Sequence, residues 1–336
     1  MDTLELESNL FVIRESCPCC GSKTNSALYS CKFNEDPVKQ YLIDFYSVQG
    51  AIEFKYFENQ EYDLRGCNNC GLVYQKTILG DFLMGKLYSN WIDPAFTEKV
   101  IEKDYDKDYY LSNTRLAYKI LTEFKKKPSD LSFLDFGMGW GNWAKTVASF
   151  GVNSFGVEIS EERIENAKKY GIKNLKLDDL KENSFDFINT DQVFEHISDP
   201  KSIIEKLSKS LKKGGILRIC VPDGNSIHEK LKVMDWASPK GHKNSLNVVA
   251  PLEHINCFTT TSLIDLAKNS GLQWHYLNYY PALELIENKA SLLNEIKIAT
   301  MLPIKIIKYF GRIVKIKLGM KYTPVPTGTN LYFKKT

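Results

Sequence analysis

The sequence predicts an α/β protein with a mostly parallel sheet, preceded by a small cysteine-rich module. Three observations support this fold class. Apolar runs alternate with helix-like segments from residue 131 onward, a glycine-rich turn follows the first of these runs, and six of the eight cysteines fall within the first 70 residues. A chain of 336 residues is long enough for about two domains.

The chain divides into three predicted parts. Residues 1–80 hold the clustered cysteines and form a small N-terminal module. Residues 81–130 are predicted as a helical linker or cap, because apolar residues recur at helical spacing and Pro128 then ends the helix. Residues 131–336 form the main domain.

Strands and helices alternate regularly in the main domain. Strands are predicted at 132–136, 154–159, 175–177, 185–190, 216–221, 272–280 and 329–334, and helices at 142–150, 161–170, 201–211 and 260–269. This order gives right-handed βαβ units and a parallel sheet covered on both faces.

Composition narrows the class of protein. The hydrophobic share of 43% is ordinary for a globular domain, and no segment reaches the roughly 18 apolar residues that span a bilayer. The acidic start has no signal-peptide pattern, so a cytoplasmic location is expected, with thiols or metal ligands rather than disulfides. The net charge of +3 is too small to indicate nucleic-acid binding.

The charge is concentrated near the C-terminus. Residues 281–336 carry ten basic and three acidic side chains, and a segment at about 281–325 separates the last two predicted strands. Lysines and apolar residues are mixed in 296–321. This insertion is interpreted either as helices that cover the sheet edge with a solvated basic face or as a peripheral contact with an anionic membrane.

The glycine-rich turn follows the first strand of the main domain. Asp135 precedes three glycines at every second position, and the third comes one residue earlier than in the G-x-G-x-x-G loops that bind dinucleotides. Glu158 ends the next strand, where a carboxylate can accept both ribose hydroxyls. Two carboxylates beside such a loop favour a cationic ligand over a pyrophosphate.

Three further motifs follow in order: 177–180 (LDDL), 191–200 (DQVFEHISDP) and 212–219 (KKGGILRI). With the glycine turn, they resemble the motifs of class I S-adenosylmethionine (SAM) methyltransferases over residues 131–275. The resemblance implies a Rossmann-like seven-stranded sheet whose last strand is antiparallel. It implies that SAM contacts Asp135, Gly137, Gly139, Gly141, Glu158, Ile159, Asp191 and Gln192, and that either Asp178 or Asp179 contacts adenine.

Two Cys-x-x-Cys pairs predict a zinc site in the N-terminal module. Cys17 and Cys20 form one pair, Cys67 and Cys70 form the other, and a glycine follows each pair. Four thiolates suit a closed, structural Zn²⁺ site in a zinc-ribbon-like module. Cys19 could replace one of these ligands, and a redox pair or disulfide is the alternative to zinc.

Two histidines are the candidate catalytic bases. His196 follows the strand at 185–190. His254 lies in 251–259 (PLEHINCFT), which resembles the "Glu-His-hydrophobic-Asn-x-Phe-Thr" element of polysaccharide-type methyltransferases. A hydroxyl acceptor needs a base, and histidine suits neutral pH. The alternative is a packing or capping role. Tyr88 and Trp91 are interpreted either as a rim over the ligand or as core residues.

A zinc module joined to a SAM domain resembles two groups, sugar methyltransferases and certain ribosomal-RNA methyltransferases. The leading prediction is O-methylation of a nucleotide sugar or surface glycan. C-methylation of a keto-deoxysugar is disfavoured because those enzymes carry a further C-terminal domain, and RNA methylation because the module is rich in acidic residues. A non-catalytic SAM- and zinc-binding protein is the remaining alternative. The oligomeric state is left open.

Overall fold

The computed structural model describes residues 10–47, 50–92, 106–277 and 328–336. Its N-terminal elements are β1 (Phe11–Ile13), β2 (Asn25–Lys32), α1 (Val38–Tyr46), β3 (Glu61–Cys67), β4 (Val73–Gln75), β5 (Thr77–Leu79) and α2 (Asp81–Lys86). β1 pairs with β5, and β2, β3 and β4 form an antiparallel sheet.

The later elements alternate between helix and strand, as predicted. They are α3 (Lys107–Leu121), β6 (Ser132–Phe136), α4 (Asn142–Ser149), β7 (Asn153–Val157), α5 (Glu161–Lys168), β8 (Lys173–Asn174), β9 (Phe185–Asp191), α6 (Pro200–Ser210), β10 (Leu211–Cys220), α7 (Ile227–Val233), β11 (Asn256–Cys257), α8 (Thr260–Asn269), β12 (Leu272–His275) and β13 (Asn330–Lys335). Local caps fix the helix starts: Asp199 accepts the Ser202 N–H at the start of α6, and Thr259 and Ser262 form a capping box at α8.

The main sheet has seven strands in the order β12-β13-β10-β9-β6-β7-β8. β13 runs antiparallel to both of its neighbours, β10 and β12, and the other pairs are parallel. This confirms the predicted Rossmann-like methyltransferase fold with its antiparallel last strand. The carboxyl ends of β6, β7 and β9 meet at one edge, where ligands bind in open α/β sheets.

Some predicted boundaries were wrong. The strand expected at 175–177 is β8, two residues earlier, and Leu177–Asp179 forms a 3₁₀ turn. The Asn174 side chain bonds both the N–H and the C=O of Glu158, while Leu175 and Leu177 pack on the core beyond the strand. The basic insertion at 281–325 lies outside the described residues. None of the helices described has the length and apolar character needed to cross a bilayer.

The N-terminal module and the main domain share their cores. β11, from the second half of the chain, pairs with β4 and completes a four-stranded sheet in the order β11-β4-β3-β2. Cys17, Cys70 and Tyr74 are buried in one cluster with Leu134 and Phe258. The boundaries at residues 80 and 130 remain predictions, but the module packs against the main domain as part of one continuous interior.

Candidate active site and metal-binding residues

The glycine turn between β6 and α4 presents bare backbone at the carboxyl edge of the sheet. Gly139 has a φ of +53°, and a Cβ placed there would meet nothing within 4 Å. Gly137 is packed instead, because a Cβ there would lie 2.5 Å from Cγ2 of Val193. The open face at Gly139 therefore lets a ligand touch the main chain directly, as the glycine spacing predicted.

Glu158 ties this turn to the end of β7. Its Oε2 accepts the Gly139 N–H at 2.9 Å, and its Oε1 accepts the N–H groups of Ile159 and Ser160 at 2.8 and 3.0 Å. Each carboxylate oxygen has two lone pairs, so Oε1 is fully used and Oε2 keeps one lone pair for a ribose hydroxyl. The Ile159 side chain is 91% exposed beside the turn.

A buried polar chain links Asp135 to the neighbouring strands. Asn189 on β9 donates to Asp135 Oδ1 at 2.8 Å, and Arg218 on β10 donates to Asn189 Oδ1 at 2.7 Å and to Asp191 Oδ2 at 2.9 Å. Asn189 and Arg218 were missed by the sequence reasoning. The signal that could have found them is a polar residue at a core position of each apolar strand.

Burial of Asp135 disfavours the ionised form of its carboxyl group. Desolvation raises its pKa to about 7, with the Asn189 hydrogen bond opposing that shift and the charge of Asp191 adding to it. A cationic ligand group beside the carboxylate would favour its ionised form and offset the free-energy cost of desolvating that charge. The predicted contact between Asp135 and the SAM ammonium group would therefore be electrostatic.

We expect SAM affinity to fall as the pH drops below 7. Protonated Asp135 has no charge for the ammonium group, so affinity should be lost at up to about tenfold per pH unit below the pKa of the free enzyme. Titration calorimetry with S-adenosylhomocysteine from pH 8 to pH 5.5 measures this. Asp135→Asn should bind weakly and with little pH dependence; a variant as pH-dependent as the wild type would assign the titration to another group.

The remaining predicted cofactor residues lie at the same edge. The Asp178 side chain is 94% exposed and lies 2.5 Å from Lys206 Nζ, and Asp179 is its exposed neighbour in the same turn. Asp191 and Gln192 are exposed where β9 ends. Gln192 has a left-handed φ of +56°, which turns the chain sharply beside the glycine turn.

The four predicted zinc ligands come together from two turns, the one between β1 and β2 and the one between β3 and β4. Cys17 and Cys70 have their Sγ atoms 3.6 Å apart, as do Cys20 and Cys67, and all four sulfurs lie within 4.8 Å of one another. A tetrahedral ion with Zn–S bonds of about 2.3 Å would place them roughly 3.8 Å apart. The four residues thus fit a structural zinc ion. Cys19 contacts the Ser262 carbonyl oxygen instead, at 3.4 Å.

The N-terminal module holds residues 247–257, the His254 segment. Arg14 donates to the Ile255 carbonyl and to Asn256 Oδ1, both at 2.7 Å. Gln75 donates to the carbonyls of Ala250 and His254 at 3.0 and 3.1 Å. Side chains of the cysteine-rich module therefore fix the backbone that carries one of the two candidate bases.

The structure brings His196 and His254 together. Their ring centroids are 5.0 Å apart. Nδ1 of His196 lies 2.9 Å from the Glu253 carbonyl oxygen, and Nδ1 of His254 contacts the Asn247 carbonyl oxygen. A carbonyl only accepts, so each Nδ1 carries the proton and each Nε2 keeps a free lone pair. Burial lowers the pKa of His196 to about 3 and of His254 to about 4.

Glu195 completes this cluster of Glu195, His196 and His254, which we name the buried triad after its buried carboxylate; the two imidazoles are half-buried. One ligand atom from each side chain lies within 4.8 Å of the other two. Glu195 is 1% exposed, and burial raises its pKa to about 8. Within the described part of the chain, neither of its carboxylate oxygens has a hydrogen-bond partner. Sequence reasoning quoted Glu195 within a motif but gave it no role.

Tyr88 and Trp91, the two aromatic residues considered for the rim of the ligand site, lie in different environments. Trp91 is fully buried in the core of the N-terminal module, next to Phe57. Tyr88 is 44% exposed, and burial of its hydroxyl together with the charges of Glu253 and Glu195 raises its pKa. Tyr88 therefore borders the buried triad, whereas Trp91 is structural.

Comparison with known proteins identifies the family. A family model described as a methyltransferase domain matches residues 108–277, half of the chain. The chain belongs to this methyltransferase family. An uncharacterized protein of Methanocaldococcus jannaschii is 34% identical to the methyltransferase over 177 residues, which are 51% of this chain and 78% of that protein.

Several relatives carry a named activity, and two of them illustrate the range of similarity. The ubiquinone biosynthesis O-methyltransferase of Pelagibacter ubique is 30% identical over 57% of this chain and 86% of its own length. The protein of the same name from Idiomarina loihiensis is 26% identical over 40% of this chain and 63% of its own length. A solved structure, the plantazolicin methyltransferase BpumL with SAH and a substrate analog, aligns with a TM-score of 0.45 at 18% identity over 75% of this chain and 94% of that one.

These findings establish the enzyme as a SAM-dependent methyltransferase. The glycine turn, Asp135 and Glu158 are the residues that would hold SAM at the carboxyl edge of the sheet. The relatives are named for quinone biosynthesis rather than sugar methylation, so the predicted sugar acceptor is not part of what is established.

Proposed function

We propose that the methyltransferase transfers the SAM methyl group to a hydroxyl of a sugar, carried as a nucleotide sugar or in a glycan. The observation behind an oxygen acceptor is the buried triad. His196 lies a few residues past the end of β9, at the sheet edge that holds the glycine turn, and His254 reaches it from the segment before β11; each imidazole presents a free Nε2 lone pair. The two relatives named above are also O-methyltransferases.

SAM, when bound, supplies a methyl group on a positively charged sulfur. The chain's own residues do the rest. Asp135 and Glu158 orient the donor, and the Nε2 atoms of His196 and His254 can accept the hydrogen bond or the proton of an incoming hydroxyl. The depressed pKa values keep both rings neutral, so their lone pairs can accept a hydrogen bond throughout the physiological range, while the same burial makes each ring a weaker proton acceptor.

Two features support a sugar as acceptor. The segment around His254 resembles the element found in polysaccharide-type methyltransferases, and Tyr88 offers a half-exposed aromatic ring beside the triad. Aromatic faces pack well against the apolar C–H face of a sugar ring. A structural zinc ion at Cys17, Cys20, Cys67 and Cys70 belongs to this proposal, because the four thiols fit it.

The test is an acceptor panel with deuteriomethyl-labelled SAM. Nucleotide sugars and lipid-linked oligosaccharides form one arm, and dihydroxyphenyl compounds like the substrates of quinone O-methyltransferases form the second. We expect a labelled O–CH₃ group on a sugar, identified by mass spectrometry and NMR. Labelling of phenols alone would favour the quinone-type reaction of the named relatives, and a labelled C–CH₃ group would overturn O-methylation.

A further inference from the structure

The Glu195 carboxylate is an unexplained buried group. It is 1% exposed, and among the described residues nothing donates a hydrogen bond to either of its oxygens. A buried carboxylate without a partner costs several kcal/mol unless a counter-charge compensates it. Its position at the sheet edge, beside two imidazoles, points to a cation that completes the arrangement.

The two histidines are oriented as metal ligands are. In each ring, Nδ1–H donates to a backbone carbonyl, from Glu253 for His196 and from Asn247 for His254. This outer contact fixes the tautomer and leaves Nε2 as the coordinating atom, the arrangement that recurs around metal-bound histidines. The neutral rings need no deprotonation before binding an ion.

The distances suit one shared ion. His196 Nε2 lies 3.7 Å from Glu195 Oε1, and one donor atom of His254 lies within 4.8 Å of both. Ligands that bind one ion at about 2.1 Å lie roughly 3–3.5 Å apart, so side-chain shifts of about 1 Å or less would close the site. We propose that Glu195, His196 and His254 bind one divalent first-row metal ion and leave coordination positions open for the acceptor.

This site differs from the cysteine cluster in the type of its metal-ligand atoms. Two imidazole nitrogens and one carboxylate oxygen accept Mn²⁺, Fe²⁺, Co²⁺ or Zn²⁺, whereas four thiolates select zinc. Ion binding itself does not depend on the acceptor; only the role of the ion rests on the proposed function. With the ion bound, the histidine Nε2 atoms coordinate it, and water replaces them as the proton acceptor. A hydroxyl bound to the ion would lose its proton to water more readily, and its oxygen would form the O–CH₃ bond as the S–CH₃ bond breaks and sulfur takes the electron pair.

The experiment is a Mn²⁺ titration of the zinc-containing protein, followed by the electron paramagnetic resonance signal of free Mn²⁺. We expect one Mn²⁺ bound per chain. Glu195→Gln keeps the shape of the side chain and removes its charge, and His254→Gln removes one nitrogen ligand. Each should weaken Mn²⁺ binding by roughly 100-fold, judged by the tenfold to 100-fold effects of outer contacts alone. His242→Ala, at an exposed histidine outside the triad, is the matched control.

Circular dichroism and S-adenosylhomocysteine binding establish that the variants are folded. Absence of Mn²⁺ binding up to millimolar concentration, or equal binding by wild type and both triad variants, would overturn the proposal. Mn²⁺ binding by a protein that methylates no hydroxyl would keep the ion site and remove the proposed acceptor class. Sugar methylation by a protein that binds no Mn²⁺ would keep the proposed acceptor class and remove the ion site.

Discussion

Replacing Cys67 by serine is expected to unfold the N-terminal module and to abolish methyl transfer. A structural zinc ion contributes on the order of 10 kcal/mol of binding free energy, comparable to the whole stability of a typical domain. Cys67 is buried in a core shared with the main domain, so the damage should reach the His254 segment through Gln75 and Arg14. Zinc content, near-ultraviolet circular dichroism and methyl transfer measure the three consequences.

Two other cysteines serve as controls. Cys31 lies outside the cluster, and its thiol contacts the backbone carbonyls of Lys32, Glu35 and Asp36, so Cys31→Ser should keep zinc, fold and activity. Cys19→Ser should also keep the zinc ion, because the Cys19 thiol bonds the Ser262 carbonyl oxygen and is not one of the four clustered sulfurs. A folded, active Cys67→Ser protein without zinc would show that the ion is not needed for stability.

Much of the fold could be predicted because it depends on local patterns. The apolar run of β6, the glycine turn and the cap of α8 each specify their structure within a few residues. The order of the motifs along the chain then predicted the seven-stranded sheet with its antiparallel last strand. The short strand β8 was misplaced, since two residues carry too little periodicity to locate a strand.

The candidate site was less accessible to sequence reasoning because its contacts are long-range. Gln75 reaches the His254 carbonyl across 179 positions, and Arg14 reaches Asn256 across 242. No local pattern predicts such pairs. Nothing in the sequence indicated that Glu195 is buried, because an acidic residue in a polar motif is ordinarily solvated. Only the fold shows that its carboxylate oxygens have no hydrogen-bond partner among the described residues.

His254→Ala is expected to reduce kcat by roughly 10²–10⁴-fold and to leave SAM affinity unchanged. The Nε2 lone pair of His254 serves the acceptor hydroxyl, either directly or by holding an ion, and losing a positioned group of this kind has an effect of that size. The predicted SAM contacts lie elsewhere, at the glycine turn and at Glu158. Single-turnover methyl transfer and titration calorimetry separate the two quantities.

The control is again His242→Ala, since His242 is exposed and bonds only Ser238 and the backbone near it. Its kcat should match the wild type. The removed imidazole also contacts the Asn247 carbonyl, so the His254→Gln variant distinguishes chemistry from packing. Glutamine can keep that hydrogen bond but offers no imidazole nitrogen; recovery of full activity by His254→Gln would assign His254 a purely structural role and leave His196 as the remaining candidate.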